Sequence, residues 1–364
     1  MPAALDGPQT LVLVFGAPSY GQAPSAWQAL REAFPQAVQL GCSTAGEIFE
    51  GEVRDDTLSV AVLKFGATQL VRAVTSVARR EDSAAAGQRL ATQLNRTGLR
   101  AVLVFSEGVQ VNGTALVDAL TQHLPAEVAL SGGLAGDGDR FGSTWVWDGV
   151  APQGHSIVAV GLCGDGIRVG LGSEGGWADF GPERRITRAE GQVLYELDGR
   201  PALDLYKDYL GELAAQLPAA GLRFPLSVRQ GGGTEGTVVR TILGVDEANR
   251  ALIFAGDIPQ GGTARLMRVN HLSLIESGSL AVAEAARAAS PEGPALCLSV
   301  SCVGRRLVLG EQTDEELESA AQLLPPGSAQ VGFYSYGEIS PAGGACSRLH
   351  NQTMTVSVLW ERPD

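Results

Sequence analysis

The sequence predicts an α/β protein, with mixed β-sheets flanked by helices. Three observations point to it. Short apolar runs, LVLVF (11–15), AVLVF (101–105) and LCLSVSC (296–302), each precede a segment with apolar residues at helical spacing. A second short run then ends in a glycine-rich loop: GCSTAGEI (41–48), SGGLAGDG (131–138) and GFYSYGEI (332–339). An alternating apolar segment follows each loop, as a half-buried strand requires. The expected fold is built from repeated units, each strand, helix, strand, Gly loop, strand.

In the first copy, LVLVF leads into a helix carrying Trp27, Leu30 and Phe34, with Ser25 and Gln28 as a capping box. AVQL (37–40) then runs into the loop, and TLSVAVL (57–63) alternates as a strand. In the second copy the helix shows Leu116, Val117, Leu120 and Leu124 on one face. EVALSGGLAGDG (127–138) and HSIVAVGL (155–162) complete it. In the third, a helix starts at Thr313 with Glu316 as its capping partner, and Leu317, Ala320 and Leu324 share a face. AQVGFYSYGEI (329–339) and TMTVSVL (353–359) close it. The first two strands of each copy should be parallel, joined by a right-handed crossover, and the third antiparallel. The loops then lie at the carboxyl ends of strands, where α/β sheets bind ligands, and face a common side.

Between the second and third copies, CGDGIRVGLGSEGGW (163–177) reads as closely packed or bulged strands. Thr187 and Glu190 form a capping box for a short helix, TRAEGQVLYEL (187–197). Pro201 opens a second helix with Leu203, Tyr206, Leu210 and Leu213 inward. The proline-punctuated stretch 217–225 marks a domain boundary, giving domains 1–217 and 218–364. Residues 231–267 read as strands separated by the turns GVDEANR (244–250) and GDIPQGG (256–262). GGGTEG (231–236) lacks the Lys-Ser/Thr of a phosphate loop and reads as a hairpin turn. SLAVAEAARAA (279–289) is a helix.

The 364 residues suffice for two or three domains, and 45% apolar with 18% charged residues is a globular composition. No apolar run reaches the roughly 18 residues of a membrane span. The start, MPAALDGPQT, has neither the basic nor the apolar region of a signal peptide, so the expected location is cytoplasmic. A net charge of −13 argues against nucleic acid and membrane as partners, and equally suits plain solubility. Cys42, Cys163, Cys297, Cys302 and Cys346 are odd in number and scattered, which argues against a disulfide framework. His123, His155, His271 and His350 show no H-x-x-x-H spacing, so neither a metal site nor a cofactor is expected.

Glu47, Asp137 and Glu338 follow the loop glycines at corresponding places. A turn needs no carboxylate there, whereas a carboxylate in a cleft binds an ammonium or a hydroxyl; it can equally meet an arginine or cap a helix. Backbone amides around Gly46, Gly132, Gly133 and Gly337, with the hydroxyls of Ser43, Thr44, Ser131, Ser335 and Tyr336, would hold a carboxylate. Ser106 and Glu107 follow the first strand of the second copy and would line the same cleft, as would Cys42 in the first loop. This chemistry describes a small polar ligand such as an amino acid.

Two enzymatic alternatives exist. Cys42 in its loop could be a nucleophile, with His350 as a base if the chain ends meet. Its counterparts Gly132 and Phe333 carry no thiol, which favours a small buried hydrophobe. Glu47 and Glu338 could form an acid–base pair. Arg305 and Arg306 read as a solvated turn, with bidentate carboxylate binding the alternative. A protein-interaction scaffold without a small ligand is a third possibility.

The ordered set GCSTAGEI, SGGLAGDG, ITRAEGQVLYELDGRPALDLYKDYLG, GDIPQGG and GFYSYGEISP with the later LHNQTMTVSVL resembles the FIST (F-box and intracellular signal transduction) family. The resemblance spans roughly residues 30–360. It implies an N-terminal FIST domain followed by a FIST C-terminal domain. It also implies a sensory module for small molecules such as amino acids. Family members often carry kinase, cyclase or F-box segments. This chain starts almost at its first strand and ends at Asp364, so the expected partner is a separate signalling output protein. The resemblance transfers no residue roles.

Overall fold

The run LVLVF becomes the strand Thr10–Gly16, buried along its whole length. Leu11, Leu13 and Phe15 face a core shared by three sheets, while Val12 and Val14 pack under Trp27 of the helix Pro24–Ala33 and under Phe34, which ends it. Cover on both faces is why the run is apolar at every position rather than at alternate ones. The structure, a computed structural model, describes residues 3–230, 237–341 and 346–362.

One pairing scheme recurs in three sheets. Thr10–Gly16 pairs parallel with Val38–Ser43 and antiparallel with Leu58–Lys64. Leu99–Ser106 does the same with Ala129–Leu134 and Ser156–Cys163. Leu296–Cys302 does so with Ala329–Ser335 and Met354–Glu361. The strand following each glycine loop leaves its own sheet. Glu47–Phe49 pairs with Ala329–Ser335, Gly337–Pro341 with Ala129–Leu134, and Val146–Trp147 with Val38–Ser43, all antiparallel. Strands are thus exchanged around a closed ring, and the two ends of the chain are hydrogen-bonded together. Residues on either side of 217 share sheets: Ile167–Glu174 also pairs with Met354–Glu361.

At the centre, Phe15, Phe105 and Phe333, one from each sheet, form an aromatic triangle. Their ring centroids are 5.3, 4.8 and 5.9 Å apart. Gly41, Gly132 and Gly332 lie beside Val14, Val104 and Ser299 in the parallel pairs. A Cβ on each would stand 1.7, 1.9 and 1.7 Å from the neighbouring carbonyl oxygen, so only glycine allows this approach.

A further antiparallel sheet, centred on Leu226–Arg229, Thr263–Arg268, Arg184–Glu190 and Val193–Leu197, packs on the helix Ala202–Leu210 through Ile186, Leu203, Tyr206 and Phe254. The short helix expected at 187–197 is therefore two strands, paired across a turn at Gly191. Leu194 pairs with Leu252, and Ile186, Leu194 and Leu197 enter the core, so sheet pairing outweighs the local capping pattern. Two other capping boxes are absent. Pro24 starts the first helix without a side-chain cap, and Gln28 donates to Glu32 instead. Thr313 bonds Gly310 O, while Glu316 turns to Arg305. The helices Ser83–Leu94 and Val303–Leu309 and the strand Gln69–Ser76 went unread in the sequence, and the helix at 279–289 extends over His271–Ala289. GGGTEG (231–236) lies outside the described residues.

Candidate functional site at the junction of the glycine loops

The three loops meet. Ala45 N donates to Tyr334 O (2.8 Å), Gly136 N to Ser43 O (3.0 Å) and Tyr336 N to Leu134 O (3.1 Å), closing a ring of backbone bonds. Register fixes the correspondences. Glu47 stands opposite Phe333, Val146 opposite Cys42, and Glu338 opposite Gly133. Glu47 and Glu338 are therefore counterparts, and the second loop carries Val146 in their place. Asp137 belongs to a segment, 137–144, that the other loops lack. This corrects the placing of Asp137 with the two glutamates. It also makes Gly133, not Gly132, the counterpart of Cys42. Counting from the glycines misses an insertion.

The two glutamates make the same contacts. Glu47 Oε2 accepts from the amide (3.0 Å) and hydroxyl (2.7 Å) of Thr57, and Oε1 from the Thr44 hydroxyl. Glu338 Oε2 accepts from the amide (3.2 Å) and hydroxyl (3.0 Å) of Thr353, and Oε1 from Ser335 Oγ (2.6 Å). Each carboxylate ties its loop to the head of the closing strand. Burial raises both carboxyls from their ordinary values, Glu338 to about 8, with the donated hydrogen bonds pulling the other way. Sequence reasoning missed Thr57 and Thr353, although each stands just before an alternating segment, LSVAVL and MTVSVL.

Tyr336 holds the 137–144 segment. Its hydroxyl donates to Asp137 Oδ1 and accepts from the amides of Asp137 (3.0 Å) and Phe141 (3.1 Å). The Phe141 ring stacks on it at 4.4 Å. Asp137 Oδ2 accepts from Gly142 N (3.0 Å) and Ser143 N (2.9 Å). Burial, then the Asp137 carboxylate, pushes the Tyr336 phenol above its ordinary value. Residues 139–143 are exposed. Glu107 anchors the far end, accepting from Thr144 Oγ1 (2.9 Å), Val109 N (2.8 Å) and Gln110 N (2.6 Å).

Ser43 Oγ accepts from Trp145 N (3.0 Å), and Ser106 Oγ donates to Glu107 O (3.0 Å). Gly46 has φ +132°, and a Cβ there would stand 2.5 Å from Arg306 Nη1. Arg306 in turn donates to Ala45 O (2.6 Å) and grips both oxygens of Asp55 (2.8 and 2.5 Å). Arg305 is fully buried against Glu316. The arginine pair is thus no solvated turn, because both guanidiniums meet carboxylates across packed elements. The junction gathers Ser43, Thr44, Gly46, Glu47, Asp137, Ser335, Tyr336, Gly337 and Glu338, with Ser106 and Glu107 adjoining through Thr144. Ser131 bonds Ser357 Oγ (2.7 Å) within the strands, beside Gly132 and Gly133. Cys42 lies in the central core, where burial keeps the thiol protonated. His350 Nε2 faces Ser340 O, and burial lowers it to about 4.

Among the described residues, no group of three His, Cys, Asp or Glu could hold a metal ion, and no helix is long and apolar enough to cross a membrane. No curated protein matches the chain. One solved structure similar to it is the crystal structure of a cyanuric acid hydrolase from A. caulinodans. That protein is 11% identical over 81% of this chain and 100% of its own, with a TM-score of 0.19. Residues 10–200 match the FIST N domain, a signal-transduction sensory domain, and residues 202–341 match the FIST C domain. Neither is an F-box, so the F-box in the expansion of the name does not describe this chain. With both domains matched in order over most of its length, the chain belongs to the FIST family.

Proposed function

We propose that this FIST protein is a cytoplasmic sensory module that takes up a small polar ligand, an amino acid by its chemistry, where the three glycine loops meet. The supporting observation is the position of the Tyr336 hydroxyl. It is a donor to the Asp137 carboxylate and an acceptor from the amides of Asp137 and Phe141. An amino acid offers the same pair of functions in stronger form. Its ammonium would take the place of the phenol at Asp137, and its carboxylate would receive the two amides. Glu47 and Glu338 hold the flanking loops in register for that exchange.

The 137–144 segment moves with the phenol. Its exposed face is what a separate output protein would read, because only a ligand that prefers one position of the segment shifts the equilibrium. Isothermal titration with a panel of amino acids tests the reading. One or more should bind. Asp137→Asn should weaken that binding about tenfold or more, and Glu338→Gln several-fold through the loop it positions. Absence of binding across the panel, or unchanged affinity in both variants, removes the proposal.

A further inference from the structure

The first sheet has a second polar feature, at the end away from the glycine loops. Val38–Ser43 starts there, beside the last turn of the helix Pro24–Ala33. A cavity of about 430 Å³, large enough for a small metabolite, is lined by Arg31, Pro35, Val38, Gln39, Arg72 and Gly149. Arg72 comes from Gln69–Ser76 of the neighbouring sheet, and Gly149 from the turn between Val146–Trp147 and Pro152–Gln153. A Cβ on Gly149, whose φ is +87°, would lie 3.1 Å from Gln39 O and 3.4 Å from Arg72 Nη1. Glycine therefore keeps this wall thin.

We infer that this cavity binds a small carboxylate. Arg31 Nη1 donates to Val150 O (2.5 Å) and Arg72 Nη1 to Asp148 O. Neither arginine has a salt-bridge partner among the described residues. A guanidinium has five N–H groups, so most of their donors are unspent. The carboxylate nearest in sequence to the turn glycine, Asp148, is used within its own turn, accepting from Val150 N (3.0 Å) and Ala151 N (3.4 Å). Two cations bordering one cavity, in a chain of net charge −13, are a site for an anion.

Gln39 contributes wall rather than a ligand contact: the residue is 5% exposed, its Nε2 donates to Phe34 O (2.6 Å), and its Oε1 is buried away from the cavity. The site shares no lining residue with the loop junction.

Calorimetric titration of the full chain with lactate, propionate and inorganic phosphate tests this. Lactate held by its carboxylate at the loop junction instead would keep its affinity in both arginine variants. Lactate and propionate should both bind saturably, and inorganic phosphate more weakly. Arg72→Gln, at an exposed position that folding tolerates, should weaken lactate about tenfold or more, and Arg31→Gln likewise. No saturable binding of either carboxylate, affinity surviving both arginine changes, or phosphate binding more tightly than lactate would each overturn the inference.

Discussion

Thr353 gives both of its donors, amide and hydroxyl, to one oxygen of Glu338, and Thr57 gives the same two groups to Glu47. The Glu338 carboxyl is raised to about 8 by burial, so the folded chain keeps a proton that the unfolded chain releases near 4.5. The stability this confers is whole below about pH 4.5 and is lost as pH rises toward 8. The loss is at most about 1.4 kcal/mol per pH unit. His350, lowered from 6.5 to about 4, works in the opposite direction between those values, so the readout is variant against unaltered protein. Glu338→Gln has no proton to release and should flatten the decline between pH 5 and 8, as measured by urea unfolding across that range. An identical pH slope in the two proteins would contradict the assignment.

Gly332 allows its strand to approach Ser299, whose carbonyl oxygen would stand 1.7 Å from an added Cβ. The obstacle is backbone, so no side-chain rotation relieves it. Gly332→Ala should destabilise by more than about 3 kcal/mol or prevent folding. Gly293, with no atom within 4 Å of the added methyl, is the control, and Gly293→Ala should change stability by less than about 1 kcal/mol. Equal melting temperatures for the two variants would show that the strands do not pack this closely.

Arg305 and Glu316 are both fully buried. The guanidinium also reaches Gly175 O (2.7 Å), Leu274 O (2.9 Å) and Ser277 Oγ (3.0 Å), and Tyr334 donates to Glu316 Oε2 (3.1 Å). Removing one charge leaves the other buried without compensation. Glu316→Gln should therefore cost about 3–5 kcal/mol. Combining Arg305→Met with Glu316→Leu should cost less than the sum of the two single changes, because the second removes the stranded charge. Additive losses in chemical denaturation would argue that the pair is not coupled.

The central strands were legible because cover on both faces leaves an apolar run, as in LVLVF and AVLVF. The hairpin Arg184–Leu197 was not: its polar alternation and the Thr187–Glu190 spacing imitate a helix start, and the partners that make it a sheet, such as Leu252, lie far along the chain. The kinship of Glu47 and Glu338 was visible in the shared Gly-Glu-Ile. The meeting of the loops was not, since it depends on strands exchanged between sheets. Asp137 was misplaced because its segment inserts between two positions that are adjacent in the other loops. Arg305 looked like a surface residue because its partner Glu316 sits on a different helix.

Reactivity separates the cysteines. Cys42 is fully buried in the central core beside the aromatic triangle, and Cys163, Cys297 and Cys302 are buried as well, whereas Cys346 is exposed. Burial raises the thiols of Cys42, Cys163, Cys297 and Cys302, Cys297 to about 12, and only a thiolate attacks an alkylating or disulfide reagent. Iodoacetamide or a chromogenic disulfide should therefore modify one thiol of the native protein quickly and the other four only on unfolding. Cys346→Ser should abolish the fast phase without slowing the rest. Rapid modification of Cys42 in the native protein would place its thiol outside the core and restore it as a nucleophile, with the loop junction then a reaction site rather than a sensor.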